Sequence, residues 1–406
     1  MERVVVTGMG AVTPLGNDVK TFLNGVADSR VGIAPITKFT ADTGITVAGE
    51  VKDFEATKRL SAKTAKRMDL FSQYALYSAI EAMENAGLEP DNVVSEDFGV
   101  IYGSGIGGLT TIQEQVIKMH DKGPKRVSPL FVSNSIINMA AGNLSIYFKA
   151  ENISEAVVTA CASATNAIGD AFEQIKLGRA QVMMTGGSEA SVNEIGIAGF
   201  AALTALSKST DPLKASMPFD VNRNGFVMGE GGATLILESL THAQARNAPI
   251  LAEIVGYGRT SDAYHVTAPD PSGKGAKRAM SQAISEAGIK PKDVGYINAH
   301  GTATKANDAG EARAIADLFG QDVLVSSTKG MTGHLLGAAG AIEAVATIGA
   351  LNGQLPQNVG VYDQDPETPV TLVNADNAHQ QVNYALSNSF GFGGHNAVIA
   401  FKRWEG

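Results

Sequence analysis

The sequence predicts an α/β protein built from two similar halves that divide near residue 250. Two repeats carry this prediction: "ENAGLEPDNV" from Glu84 returns as "SEAGIKPKDV" from Ser285, and the strand-like "VVVTGMG" from Val4 returns as "AEIVGYG" from Ala252. Strands that alternate with helices favour mainly parallel sheets covered by helices. Because ligands of such folds lie beyond the carboxyl ends of the strands, we expect a functional site there.

The remaining repeated elements follow in the same order. In each copy a helical pattern ends at a glycine, Gly87 or Gly288, and a proline follows three residues later, Pro90 or Pro291, which is typical of a helix stop. Short apolar strands come next, "FGVIYGSG" and "VGYINAHG", and each half closes on a strand after a glycine-rich turn, "GGATLILE" and "GGHNAVIAF". We therefore interpret residues 1–250 and 251–406 as two related halves.

The composition is that of a folded globular protein. Its 406 residues exceed the roughly 250–300 at which a single core stops growing, and 44% of them are hydrophobic. The net charge of -9 argues against general nucleic-acid binding, which needs a basic surface. A single cysteine and a start without an apolar leader predict a cytoplasmic location. No apolar stretch reaches the ~20 residues of a membrane-spanning helix.

The lone cysteine, Cys161, lies in "VVTACASATNAIGDAF". The preceding "ISEAVVTA" is typical of a buried strand, and "SATNAIGDAFEQIKLG" predicts an amphipathic helix that ends near Gly178. A thiol on the turn between them would feel the positive end of the helix dipole, which lowers its pKa and favours the thiolate. Free cysteines are often buried and inert, but this position favours a nucleophile.

Two histidines follow strands of the second half. His300 comes directly after "VGYINA", and His334 lies in "SSTKGMTGHLLGAAG", between the strand "VLVSS" and a helix of small residues. This second strand–turn–helix occupies the place that the Cys161 turn occupies in the first half, so we expect the two turns to meet at one cleft. Nearby Lys329 and Glu343 would form either a buried or an exposed charge pair.

Two further segments have a composition that suggests binding. In "NSFGFGGHNA" the aromatic residues Phe390 and Phe392 stand among glycines, which suits the gate or wall of an apolar pocket and leaves backbone N–H groups free for an oxyanion. The stretch "KRLSAKTAKR" is either a solvated helix face or a docking surface for an acidic partner. Its cations are Lys58, Arg59, Lys63, Lys66 and Arg67.

Four of these blocks resemble the elongating β-ketoacyl-acyl-carrier-protein (ACP) synthases of the synthase II type, in the thiolase-like superfamily. They are "TACASATNAIGDAF", "NAHGTATKAND", "STKGMTGHLLGAAG" and "NSFGFGGHNA", and the resemblance covers essentially the whole chain. It implies a duplicated thiolase-like fold, with two βαβαβαββ halves in five α-β-α-β-α layers. "CASATNA" in place of the commoner "CATGTNA", and His395 where many relatives have Thr, leave the preferred chain length open.

The resemblance implies a two-step reaction. Cys161 would accept an acyl chain from acyl-ACP as a thioester; malonyl-ACP would then lose carbon dioxide and attack that thioester to give a 3-oxoacyl-ACP two carbons longer. His300 and His334 would donate Nε2–H bonds to the developing enolate. Lys329, paired with Glu343, would hold the electrostatics and the geometry around His334.

The resemblance also implies binding roles. The backbone N–H groups of Cys161 and Phe392 would hold the acyl-transfer oxyanion. The residues implied to contact the acyl chain or the phosphopantetheine arm are Ile106, Phe200, Phe390, Thr302 and Thr304. The cations implied to dock ACP are Lys63, Lys66, Arg67 and Lys208. No cofactor is expected beyond the phosphopantetheine of ACP, the chain is expected to be a homodimer, and some members bind a monovalent cation near positions that match Asn298, Glu343 and Asn388.

Several alternatives stay open or are disfavoured. A synthase I-like enzyme or a polyketide ketosynthase with another chain preference remains open. A catalytically silent chain-length factor lacks the active cysteine, so Cys161 with both histidines argues against it. A thiolase needs a second cysteine, and an initiating synthase pairs histidine with asparagine where this chain has His300 and His334.

Overall fold

The computed structural model describes residues 1–40, 42–89 and 92–406. The strands are β1 (Val4–Val12), β2 (Ala34–Pro35), β3 (Val47–Ala48), β4 (Phe98–Gly103), β5 (Ser154–Val157), β6 (Val182–Glu189), β7 (Gly231–Ser239), β8 (Ala252–Ser261), β9 (Val294–Asn298), β10 (Leu324–Ser326), β11 (Thr371–Leu372), β12 (Tyr384–Gly391) and β13 (His395–Arg403). The α-helices are α1 (Val19–Ala27), α2 (Ala62–Ala65), α3 (Leu70–Ala86), α4 (Leu109–Lys122), α5 (Phe131–Ser135), α6 (Met139–Phe148), α7 (Ser163–Lys176), α8 (Glu194–Ala202), α9 (Leu240–Ala245), α10 (Lys274–Glu286), α11 (Lys305–Phe319), α12 (Lys329–Thr332) and α13 (Ala339–Asn352).

The predicted duplication is confirmed by the order of the strands. They form an eleven-stranded sheet in the order β11-β10-β9-β12-β13-β8-β1-β7-β6-β4-β5. The two halves join where β1 pairs antiparallel with β8, with Val5 opposite Glu253. Outward from this junction the first half runs β1-β7-β6-β4-β5 and the second runs β8-β13-β12-β9-β10, so corresponding strands occupy corresponding places.

Helices cover both outer faces and fill the space between the halves. Helix α3 packs on β1 and β7, and α10 packs on β8 and β13. Helices α7 and α13 pack against each other and against strands of both halves, which gives the five layers that the resemblance implies. Both inner helices are rich in Ala and Gly because the two halves of the sheet can approach a common helix pair only if its side chains are small.

Both predicted helix stops lie where the sequence placed them. Gly87 caps α3 with a left-handed backbone (φ 64°), and Gly288, just after α10, has φ 67°. Pro90 lies outside the described residues, whereas Pro291 opens one turn of 3₁₀ helix.

The prediction of a buried strand before Cys161 is wrong. Within the described residues, strand β5 is the edge of the sheet and pairs with β4 alone, so Ser154 and Glu155 are exposed and Val158 beyond the strand is half exposed. Its apolar composition was indistinguishable from that of a central strand. Within the described ranges, no helix has both the length and the apolar character needed to cross a membrane.

Candidate active site

Cys161 lies on a tight turn between β5 and α7. It is the middle residue of one 3₁₀ turn, Ala160–Ala162, and α7 begins at Ser163. The turn places Ala160 in the left-handed region (φ 50°), and the Ser163 hydroxyl stabilises it by donating to the Ala160 carbonyl oxygen at 2.6 Å. The thiol therefore sits at the N-terminus of a buried helix, as the sequence predicted.

We call this turn, Ala160–Ala162, the first elbow. The second half contains an equivalent turn, the second elbow, which carries no nucleophile. Leu336 has φ 50°, a 3₁₀ turn spans Leu336–Ala338, and α13 begins at Ala339. Gly337 is therefore the counterpart of Cys161. The two helices meet at Gly340, where an added Cβ would overlap the Thr165 hydroxyl.

The first elbow borders a cavity of about 290 Å³. Its wall includes Cys161 from the first half and His300 and His334 from the second. The ring centroids of the two histidines lie 5.3 Å apart, and the Phe390 ring is 5.7 Å from that of His300. The structure thus brings the predicted nucleophile and both predicted histidines together.

Lys329 contacts His300 directly, and its charge also acts on His334, around which the resemblance implies its role. Its ammonium is 1% exposed, forms an ion pair with the Glu343 carboxylate and donates to the His300 carbonyl oxygen at 2.6 Å. A longer contact of 3.5 Å joins Lys329 Nζ to His300 Nδ1. Because an ammonium can only donate, Nδ1 of His300 must accept, and the ring proton stays on Nε2.

Both histidines are neutral at pH 7. Burial lowers the pKa of His300 and of His334 well below the usual value, and the charge of Lys329 lowers both further. Among the described residues no hydrogen-bond partner contacts His334 Nδ1. Neutral imidazoles can donate from Nε2 without bringing a net charge into the cavity.

The predicted low pKa of Cys161 is wrong. Burial raises the pKa of the thiol to about 12, while the charge of Lys329 and a hydrogen bond from the Phe392 backbone oppose this. The carboxylates of Glu189 and Glu343 raise the pKa further. The effect of position at a helix terminus is outweighed by loss of water, which depends on the packing of both halves.

A close backbone contact places Phe392 beside the nucleophile. A Cβ on Gly391 would lie 2.5 Å from the Thr159 carbonyl oxygen and 3.1 Å from the Cys161 nitrogen, so this position needs glycine. The Phe392 N–H then reaches the Cys161 thiol. Backbone N–H groups of Cys161 and Phe392 therefore stand next to each other, as an oxyanion hole requires.

Most of the implied substrate-binding residues line the same cavity. Thr302 and Thr304 lie on its wall with their hydroxyls 2.9 Å apart, and Phe200 lies on the wall with its ring 5.6 Å from Phe226. Ile106 is not on the wall. It packs in the apolar cluster to which Phe200 and Phe226 also belong.

The basic stretch is only partly available for docking. Lys58 pairs with Glu55 at 3.3 Å, and Arg59 lies 3.6 Å from Glu84, so these two cations are engaged within the chain. The remaining cations are exposed and make no ion pair within the described part of the chain: Lys63, Lys66, Arg67 and Lys208. Lys208 lies three residues beyond Ala205, which lines the cavity.

Several buried side-chain oxygens belong to β9, β12 and α13. Over the described ranges, four of them lack a hydrogen-bond partner: Asn298 Oδ1, Glu343 Oε2, Ser387 Oγ and Asn388 Oδ1. Asn298 and Ser387 are register partners in β9 and β12. Asn298, Glu343 and Asn388 are also the positions near which the resemblance implies a monovalent cation, and that cation stays a prediction.

Sequence reasoning missed several residues that shape the site. Glu311 on α11 accepts the backbone N–H groups of His300 at 2.8 Å and Gly301 at 2.9 Å, and burial raises its pKa to about 7. The sequence feature that could have indicated Glu311 is a carboxylate on the helix that follows the His300 strand. Buried Arg223 donates to the Thr304 carbonyl oxygen at 3.3 Å.

The loop between β8 and α10 was also missed. Asn396 Nδ2 donates to Asp262 Oδ1 at 2.7 Å, and the Gly393 N–H donates to the Val266 carbonyl oxygen at 2.7 Å. The contacts join this loop to the glycine-rich turn over the cavity. No local pattern indicates such a contact between distant segments.

The fold and this cavity define a condensing-enzyme architecture, and the chain belongs to the beta-ketoacyl synthase family. It matches the family descriptions "Beta-ketoacyl synthase, N-terminal domain" over residues 1–243 and "Beta-ketoacyl synthase, C-terminal domain" over residues 251–361. It is 48% identical, over 100% of its length and 99% of the relative's, to the protein named 3-oxoacyl-[acyl-carrier-protein] synthase 2 of Synechocystis. The protein of the same name from Staphylococcus aureus strain N315 is 47% identical, with the same coverage.

A solved structure supports the same fold. It is described as a type II PKS acyl-carrier protein in complex with its ketosynthase bound to the hexaketide. The match covers 100% of this chain and 100% of the matched chain, with a TM-score of 0.90 and 31% sequence identity.

Proposed function

We propose that this chain is a 3-oxoacyl-ACP synthase of type II fatty acid biosynthesis. The observation that carries the proposal is the single cavity in which Cys161 faces His300 and His334. Relatives with nearly half of their residues identical over the full chain carry that name.

In the first step, Cys161 Sγ attacks the thioester carbonyl of acyl-ACP. The oxyanion of the tetrahedral intermediate accepts hydrogen bonds from the backbone N–H groups of Cys161 and Phe392. Because the thiol pKa is about 12, the proton leaves the sulfur during the attack. The departing phosphopantetheine thiolate takes up this proton, so the step releases ACP with a free thiol.

In the second step, malonyl-ACP loses carbon dioxide and leaves an enolate. Nε2–H of His300, fixed by the Lys329 contact, and Nε2–H of His334 donate to the enolate oxygen. The carbanion attacks the acyl thioester, a C–C bond forms, and the C–S bond to Cys161 breaks. The product is a 3-oxoacyl-ACP two carbons longer, and the free thiolate takes up a proton.

ACP is the proposed protein partner. Its acidic surface would meet Lys63, Lys66 and Arg67, while Lys208 would meet it near the cavity. No cofactor beyond the phosphopantetheine of ACP is proposed to take part, and a monovalent cation would be held by the buried oxygens around Asn298 and Asn388.

We further propose a homodimer that works in the cytoplasm, with the boundary between its halves at residue 250. Support for the dimer comes from the open edge of β5 and from exposed apolar side chains nearby. These side chains are Val116, Val132, Ile146 and Val158.

The test is product formation from acyl-ACP and malonyl-ACP by the full-length protein, with Cys161→Ala alongside. The parent is expected to form 3-oxoacyl-ACP and the variant to form none. Equal turnover by both proteins would refute the role of Cys161. A product that has been extended repeatedly without reduction would instead indicate a polyketide ketosynthase.

A further inference from the structure

Glu189 is a buried carboxyl group at the second elbow that the two-step reaction does not use. It is the last residue of β6, fully buried, and within the described residues no basic side chain pairs with it. Its oxygens accept backbone N–H groups from Gly105 at 2.7 Å, Gly337 at 3.1 Å and Ile106 at 3.2 Å. The Ser191 hydroxyl donates to it at 3.2 Å.

Glu189 occupies the place in the second elbow that corresponds to the oxyanion hole of the first elbow. Strands β6 and β12 each have eight residues and occupy corresponding places, so Glu189 corresponds to Gly391. In the first elbow, Gly391 packs against the backbone nitrogen of Cys161. In the second elbow, the counterpart N–H, that of Gly337, donates to Glu189. A side-chain carboxyl thus fills the place where the first elbow receives a substrate oxyanion.

Glu189 also links this elbow to the turn after β4 that contains Gly105 and Ile106, called the Ile106 turn below. The turn and the elbow touch, since an added Cβ on Gly337 would overlap the Gly105 nitrogen. Ile106 and Leu336 then pack in one apolar cluster, together with Phe200 from the cavity wall. Loss of the hydrogen bonds to Glu189 would therefore allow the Ile106 turn to move, and with it the packing around Phe200 on the cavity wall.

The cavity is small for the substrate that the proposed function requires. Its volume of about 290 Å³ is at the lower end of the roughly 300–1,000 Å³ of ligand pockets. A long acyl chain on Cys161 has to extend into the apolar cluster that supplies Phe200, whereas a short chain does not. The conformational order of the Ile106 turn therefore affects the binding of long acyl chains and not that of short ones.

We propose that Glu189 is a positioning residue that sets acyl-chain selectivity by holding the Ile106 turn against the second elbow. This inference rests on the proposed synthase function. When the turn is already ordered, binding of a long chain needs no free energy to order it. When the turn is loosened, part of the binding free energy of the chain is lost in ordering it.

The test is Glu189→Gln in the full-length protein, measured as kcat/KM for transfer of hexanoyl and palmitoyl groups from ACP to Cys161. Glutamine has one acceptor oxygen, so its amide N–H₂ faces backbone donors that have lost their partner. Palmitoyl transfer is expected to fall about tenfold more than hexanoyl transfer. Equal falls for both chains, or an unchanged ratio, would overturn the proposal.

The matched control is Glu238→Gln, a buried carboxyl at the far end of the neighbouring strand β7. Glu238 accepts from Arg246 Nε at 2.8 Å and from His242 Nδ1 at 2.5 Å, far from the cavity wall. Its ratio of palmitoyl to hexanoyl transfer is expected to equal that of the parent. A shift as large as that of Glu189→Gln would overturn the proposal, because selectivity would then follow general loss of stability.

A milder variant keeps the test open if Glu189→Gln fails to fold. Ser191→Ala removes one donor to Glu189 and should lower the palmitoyl-to-hexanoyl ratio about two- to threefold. An unchanged ratio there would contradict the proposal. If the parent transfers neither chain, the synthase function itself is refuted, whereas transfer by the parent with unchanged ratios in the variants refutes only the role of Glu189.

Discussion

Lys329 is the residue on which the chemistry of the cavity depends most. It is a buried cation whose charge is balanced by Glu343, and its ammonium orients His300 through both the carbonyl oxygen and Nδ1. Removing one partner of a buried pair leaves an uncompensated charge and costs about 3–5 kcal/mol. The same charge lowers the pKa of Cys161 and of both histidines.

We predict that Lys329→Met slows alkylation of Cys161 by iodoacetamide. The thiol pKa of about 12 means that the parent rate rises roughly tenfold per pH unit from about pH 7 to about pH 10, since thiolate is the nucleophile. Loss of the Lys329 charge raises the thiol pKa, so the variant is slower at each pH. Rates come from mass spectrometry of the intact protein.

The control for this prediction is Lys63→Met, which removes an exposed charge and should leave the alkylation rate unchanged. Equal or faster alkylation of Lys329→Met would contradict the electrostatic role of Lys329. A plateau of the parent rate below about pH 9 would contradict the raised pKa of the thiol.

At the scale of secondary-structure elements, helices α7 and α13 determine how the two elbows meet. Each begins directly after a 3₁₀ turn, and both are almost fully buried. The Thr165 hydroxyl lies 2.7 Å from that of Ser389 and against Gly340, so the helices approach where side chains are smallest.

We predict that Gly340→Ala destabilises the protein by about 1–3 kcal/mol, because its methyl group overlaps Thr165 and forces the helices apart. Thermal unfolding followed by circular dichroism measures the change in Tm. The matched control is Gly199→Ala, an exposed helical position with open space around it, which should raise stability by up to about 1 kcal/mol. Equal shifts in the two variants would contradict the close approach at Gly340.

The repeated elements could be predicted from the sequence because their signals are local. The glycine stops at Gly87 and Gly288 and the turn at Cys161 depend on a few adjacent residues. The burial of β5 could not be predicted, because an edge strand and a central strand of this length have the same composition.

Properties that arise from contacts between distant segments could not be predicted from the sequence either. The thiol pKa of Cys161 follows from burial by both halves, and the partner of Lys329 follows from how α12 lies beside the His300 strand. Glu189 gave no signal of its role either, because its three backbone partners come from two turns far apart in the chain.

At the scale of the whole molecule, the duplication creates one site from two unequal halves. The first half supplies the nucleophile on its elbow, and the second supplies the histidines, while its own elbow carries Gly337 and is closed by Glu189. The halves share a continuous sheet through β1 and β8, which fixes their relative position. The cavity therefore exists only when both halves are folded together.

The central claim is that Cys161 carries the acyl chain between two steps in this cavity. The direct measurement is the intact mass of the protein, first with acyl-ACP alone and then after addition of malonyl-ACP. We predict a gain of one acyl group on Cys161, followed by its loss as 3-oxoacyl-ACP appears. Formation of 3-oxoacyl-ACP without an acylated protein, or an acyl group located on another residue, would contradict the account.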